Sequence, residues 1–273
     1  MGIEKQAGST VVFAIALSFA LGVFLSLVIS VTDKYKVFED DGALTASQNR
    51  TGESQPRDLT QREYSQAWLL AMNALIQVRD RDDDGSNAGY KFEACFLMDD
   101  ECVFSGRAVR EEFEKTTFYF PPSRVLKPEN HVMFYLNLRD GEVPHLMMRF
   151  VYFGKDWEYI ERVLVLVEDE FALDSLLPEA GVRRQAFSGT MVYEYADLVL
   201  SDKIAVIGQI ADAGKLAIRI EGRVGVADLN EAMLENAKVQ AQEIIVMYAL
   251  VTEAIERALL EVLSSRCDND ACK

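Results

Sequence analysis

The chain is 273 residues long, 49% hydrophobic and 26% charged, and its 44 acidic against 28 basic residues leave a net charge of −16. That balance excludes nucleic acid as the expected partner and weighs against an anionic lipid surface, because both need clustered Lys and Arg. The length supplies one ordinary globular core of roughly 200 residues beside an anchor and a linker.

Thr10 to Thr32, TVVFAIALSFALGVFLSLVISVT, carries no charge and no proline. As a helix rising about 1.5 Å per residue it reaches roughly 34 Å, enough to cross a hydrocarbon core of about 30 Å. Residues 1–32 are therefore expected to be a signal-anchor, a single N-terminal transmembrane helix whose residues 10–32 meet the lipid bilayer. A cleaved signal peptide has a shorter apolar core and an A-x-A-like site, and neither is present. Asp33 to Leu59 is polar and has no apolar period, which is the composition of a flexible linker. Residues 60–273 remain as the globular domain.

Lys5 precedes the span while Lys34 and Lys36 follow it, a bias that weakly favours a cytoplasmic C-terminal part. Cysteine placement points the other way. Cys95 with Cys102 and Cys267 with Cys272 form two close pairs, the pattern of local disulfides in an oxidising compartment. We expect a single-pass membrane protein with a periplasmic or extracellular C-terminal domain.

Within the domain, Thr60 and Glu63 make a capping box, and Tyr64, Trp68, Leu69, Met72, Leu75 and Ile76 follow at three- and four-residue steps. A helix from about Gln61 to Arg79 is predicted, its stripe covering a sheet. Directly after it stands Asp80-Arg81-Asp82-Asp83-Asp84-Gly85, which resembles the first half of an EF-hand-type calcium loop. The resemblance implies Asp80, Asp82 and Asp84 as monodentate oxygens, Gly85 at the sharp turn, and Ser86 offering its carbonyl. The twelfth position, where that family has a bidentate Glu, is Lys91. Calcium is thus the one ion the string could hold, and no other cofactor is expected.

From Tyr90 to Val167 the pattern is that of antiparallel strands. Tyr90 to Met98 and Cys102 to Arg110 read as a hairpin that brings Cys95 and Cys102 together. His131 to Leu138 and His145 to Phe153 read as a second, turning at Asp140-Gly141. Its two histidines have no partners at metal-ligand spacing. Trp157 to Val167, Phe171 to Leu176, Thr190 to Tyr195 and Lys215 to Glu221 extend the sheet, with a short helix from Ser201 to about Ala213. Gly208 to Leu216 fails as a phosphate loop, since five residues separate its glycines and Leu216 stands where Ser or Thr is needed.

The last predicted element is a helix capped by Asp228 and running to about Ser265. Leu234, Ala237, Ala241, Ile244, Tyr248, Val251, Ile255, Ala258 and Val262 keep a four-three spacing along it, a heptad-like seam. Its C-terminal half, with Ile255, Leu259 and Leu263, is the expected contact for a protein partner or a second copy. The fold class expected is α+β: an antiparallel β-sheet or sandwich flanked by a helix and a long C-terminal α-helix. A membrane-anchored, exported, non-enzymatic binding or assembly protein is the expected function. The alternative is a calcium-dependent or carboxylate-based hydrolase tethered to the membrane, using scattered acids such as Asp80, Asp82, Asp84 and Glu93.

Overall fold

The computed structural model describes residues 59–82, 89–98, 101–124, 128–187 and 190–266. The expected anchor and residues 33–58 of the expected linker lie outside them, as do Asp84, Ser86, Cys267 and Cys272. Among the described residues no helix is long and apolar enough to cross a membrane.

The fold is α+β, with two antiparallel sheets and a long C-terminal helix. Helix α1 spans Gln61–Leu75 and starts on the predicted capping box: Glu63 N–H donates to Thr60 Oγ1 at 3.3 Å, and Thr60 N–H to Glu63 Oε2 at 2.9 Å. It stops a turn earlier than its periodicity suggests. Ile76 and Val78 are β-branched and pair with Phe96 and Ala94, so the chain leaves the helix straight into strand β1, Ile76–Asp82.

The strands β1, β2 (Gly89–Met98), β3 (Glu101–Glu111), β4 (Thr116–Phe120), β5 (His131–Arg139) and β6 (His145–Gly154) form a meander. Strands β10 (Met191–Val199) and β9 (Val182–Phe187) complete an eight-stranded sheet in the order β1-β2-β3-β4-β5-β6-β10-β9. The β5–β6 turn contains Asp140-Gly141 as predicted. Gly141 has φ +75°, and a Cβ there would meet Ser65 of α1, so the turn can press against the helix only as glycine.

A second sheet of four strands has the order β12-β11-β7-β8, from β7 (Ile160–Val167), β8 (Glu170–Leu176), β11 (Leu216–Gly222) and β12 (Val226–Asp228). Leu216, Ile218 and Ile220 are buried, as their alternation requires. Trp157 precedes β7 instead of opening it. Strands β9 and β12 have no clear signal in the sequence, and each is a short strand at a sheet edge.

Helix α2, Ile204–Asp212, and helix α3, Glu231–Arg266, complete the domain. Asp228 does not cap α3. It lies in β12 and pairs with Arg219, while Asn230 Oδ1 accepts the Met233 N–H at 3.0 Å. Helix α3 packs against α1, α2 and β5 and touches β11. The stripe of α1 accordingly meets mainly α3, where the sequence suggested a sheet. Every seam residue from Ala237 to Val262 is buried, and Leu234 is half-buried. At about 1.5 Å per residue α3 reaches roughly 54 Å, and eight strands at about 4.8 Å spacing give it roughly 38 Å of sheet to cross.

Gln240 shows how the helix is fixed to the sheet. Strand β4 ends its pairing with β5 at Leu136, which leaves the backbone of Val132 and Phe134 without a strand on that side. The buried Gln240 amide fills the gap, accepting from Phe134 N–H at 3.3 Å and donating to Val132 O at 3.4 Å.

Candidate functional site

Cross-strand partners in an antiparallel ladder share a face, so the register sorts the large sheet into two sides. Val132, Phe134, Leu136, Phe150 and Met148 fall on the side that α3 covers, and a Cβ at Gly106 would lie 3.9 Å from Met247 of that helix. The opposite side carries Arg107, Val109, Phe118 and Phe120 from β3 and β4, His131, Met133 and Tyr135 from β5, Met147, Arg149, Val151 and Phe153 from β6, and Tyr193, Tyr195 and Asp197 from β10. No described helix packs on this second face.

At its centre Phe120, Met133, Tyr135 and Met147 form a buried apolar cluster. Guanidinium groups ring it. Arg149 lies opposite Asp197 and makes a bidentate pair, Nε to Oδ1 at 2.6 Å and Nη2 to Oδ2 at 2.7 Å. The same group stacks 4.3 Å from the Tyr195 ring centre and 5.3 Å from that of Tyr135. Burial pulls the Arg149 pKa down, but the Asp197 hydrogen bonds and charge outweigh it and raise the pKa. Burial, with the Asp197 charge behind it, raises that of the Tyr135 phenol.

Arg124 is positioned by α3. Ser123 donates its backbone N–H at 3.1 Å, and its hydroxyl, to Glu243 Oε2, and its carbonyl accepts from Asn236 Nδ2 at 2.9 Å. The residue after this double grip places its guanidinium 3.8 Å over the Phe120 ring. Arg124 has no carboxylate within ion-pair distance among the described residues, and its buried Nε has no hydrogen-bond partner. Burial, then the charges of Arg149 and Arg107, push its pKa down to about 10. Beside it opens a cleft of about 350 Å³ lined by Glu93, Ser105, Arg107, Pro121, Pro122 and Arg124.

His131 is buried on the same face. Its Nδ1 lies 2.7 Å from Glu129 O and therefore carries the proton, while Nε2 is buried with no partner. Burial lowers its pKa, and Arg124 and Arg149 push in the same direction. His145 pairs with Asn137, six residues along β5 from His131, so the two histidines are about 20 Å apart along the strand.

The acidic string has a different setting from a calcium loop at its start. Asp80 and Asp82 are exposed on β1, an edge strand. Pairing slips between Arg79 and Asp82, and Asp80 sits in that bulge with φ +43°, a conformation Asp tolerates better than most residues. A bulged, charged edge resists pairing with another chain. Among the described residues no three His, Cys, Asp or Glu side chains gather as a metal site would require. Among the described residues the one carboxyl whose pKa is raised is that of Glu256, by burial and by Glu253, on α3.

Cys95 and Cys102 lie at disulfide distance across β2 and β3, with Cα atoms 5.6 Å apart. Ile255 is 4% exposed, while Leu259 and Leu263 are half-buried and their neighbour Leu260 is 66% exposed. A second groove, of about 420 Å³ and mixed in character, runs between α1 and α3, past Leu70, Leu97, Met98, Leu250 and the charged Glu253 and Arg257.

Sequence reasoning missed Arg124, Arg149, Asp197, Tyr193 and Tyr195. Arg149 and Asp197 are far apart in the chain and meet only because β6 pairs with β10, and no local pattern announces that pairing. The face can hold an anion against guanidinium groups and stack a planar group on its tyrosines. No family model, curated protein or solved structure matches the chain.

Proposed function

We propose that the chain is a membrane-anchored, exported, non-enzymatic binding protein that receives its ligand on the helix-free face of the large sheet. One observation carries this reading. In a chain of net charge −16, that face gathers Arg107, Arg124 and Arg149 with Tyr193, Tyr195, Phe153 and the half-exposed Phe187. Arg and Tyr are the residues that most often dominate binding energy, since each offers a large contact area together with a polar tip. The outer face of the small sheet makes a contrast. There Arg162 pairs with Asp174 and Glu221, and separately Arg219 with Asp228, so both guanidiniums are already claimed by carboxylates.

The close spacing of the cysteine pairs supports the exported arrangement. A reporter fused after Lys273 that works only outside the cytoplasm should be active, and non-reduced protein should yield no labelled thiols. A silent reporter with labelled thiols would reverse the topology.

A photoreactive phenylalanine at position 193 of the full-length chain, irradiated in its native membrane, tests the binding face. Mass spectrometry should detect an adduct there and none from the same probe at Ala217 on the small sheet. Equal labelling from both positions, or none from 193, would overturn the reading.

A further inference from the structure

We infer that the cleft beside Arg124 is an anion site for a phosphodiester-class oxyanion. The inference rests on the reading of the helix-free face as the binding surface and gives its ligand a chemistry. Three charged side chains line the cleft. Arg107 and Glu93 are direct cross-strand partners on β3 and β2, yet no ion pair closes between them. Arg124 comes from the loop after β4 and has no acidic partner among the described residues. Their sum is one positive charge, with Arg149 already neutralised by Asp197. A single negative charge balances it.

The donors select the type of anion. A planar carboxylate is satisfied by one guanidinium fork, as Asp197 is by Arg149. Here two guanidiniums and the Ser105 hydroxyl line one cleft from β3 and from the loop, so donors come from more than one plane and match tetrahedral oxygens better than a flat carboxylate. Pro121 and Pro122 supply apolar walls for the ester substituents. The grip of Glu243 and Asn236 on Ser123 holds the chain next to Arg124 beforehand, so little ordering entropy is lost there on binding. The Arg124 guanidinium lines the cleft without a carboxylate partner among the described residues, and it is the group such a ligand would satisfy.

A low-salt thermal melt of the full-length protein in uncharged detergent tests this. Dimethyl phosphate and dihexanoyl phosphatidylglycerol present the same group as a soluble ester and as a lipid headgroup. At least one should raise the melting temperature by about 2 to 4 °C at saturating concentration, because ligand binds only the folded state. A response to both assigns the site to the phosphodiester alone, and a response to the lipid only assigns it to a membrane headgroup. Sodium acetate at equal ionic strength should give less than half the shift.

Arg124→Gln should abolish the shift and, without ligand, should melt no lower than the parent, since it removes an unpaired charge. Arg183→Gln, on the same face but outside the cleft, should keep the shift. If Arg124→Gln does not fold, Arg107→Gln carries the test and should lose at least half of it. No shift with either phosphodiester, an equal shift with acetate, or a shift that survives in the cleft variant overturns the inference. An adduct from position 193 together with no phosphodiester effect would leave the binding face standing and remove only its assigned ligand.

Discussion

Arg149 on β6 and Asp197 on β10 stand directly opposite each other and close two hydrogen bonds, of 2.6 and 2.7 Å, under the Tyr195 ring. The pair does two jobs at once. It ties β10, and β9 beyond it, to the meander, and it removes one of the guanidinium charges from the helix-free face.

Asp197→Asn leaves Arg149 half-buried without a counter-charge and close to Arg124. Hydrogen bonds to charged groups contribute about 1.5 to 3 kcal/mol, so a loss of about 2 to 3 kcal/mol is expected in urea unfolding. Arg149→Met with Asp197→Leu removes both charges and should recover at least half of that loss. A double variant no more stable than Asp197→Asn would show that the pair is not the source of the effect.

Glu194 is a fully buried carboxylate that works as a hub. It accepts backbone N–H groups from Glu158 at 2.6 Å, Tyr159 at 3.0 Å and Ile160 at 3.3 Å, and pairs with Arg184 Nε at 3.2 Å. These bonds hold the passage between the two sheets, where Tyr159 takes φ +55°. Glu194→Ala strands three N–H donors and a guanidinium, and should cost about 3 to 5 kcal/mol in chemical denaturation. Glu194→Gln keeps one acceptor oxygen and should cost less. Equal losses would mean that the carboxylate charge, and not the count of acceptors, is what matters.

The elements were readable where one residue type acts locally. The Thr60 and Glu63 box, the Asp140-Gly141 turn and the alternation of Leu216, Ile218 and Ile220 each encode their structure within a few residues. The end of α1 was not readable, since Ile76 and Val78 continue the helical spacing and become strand only because β2 pairs with them. Asp228 has a capping residue's chemistry, yet Arg219 across the β11–β12 ladder claims it. The candidate site was least legible. Its residues come from β2 to β6, β9, β10 and a loop, so only the register of the large sheet assembles them, and the net charge conceals a local excess of Arg.

The pH dependence of stability should carry the mark of His131. Its pKa is depressed in the fold, by burial first, below the ordinary value of about 6.5. The unfolded chain therefore binds the proton more readily. Stability present above pH 6.5 is lost as pH falls towards the folded-state pKa. Glu256 acts with the opposite sign, because its raised pKa favours the folded state as it protonates. Comparing melting temperatures between pH 7 and pH 5, His131→Gln should lose less than the parent. Parallel curves for the two proteins would exclude His131 as the source.

Helix α3 offers a direct contrast between its two sides. Val251 is fully buried in the seam, whereas Leu260 is 66% exposed near the C-terminal end, on a helix whose partner α1 also exposes Leu69 at 53% and Leu70 at 47%. Val251→Asp places an unpaired charge in the core, which costs several kcal/mol, and should leave the domain unfolded at 37 °C by circular dichroism. Leu260→Asp should keep the parent melting temperature to within about 2 °C, since surface changes away from special features are small. If Leu259, Leu260 and Leu263 face a second copy, sedimentation of the detergent-solubilised chain should show a dimer that Leu260→Asp converts to monomer while the fold persists. A parent that sediments as a monomer, beside a Leu260→Asp variant that unfolds, would make the whole length of α3 a support for its own domain and withdraw it as a partner surface.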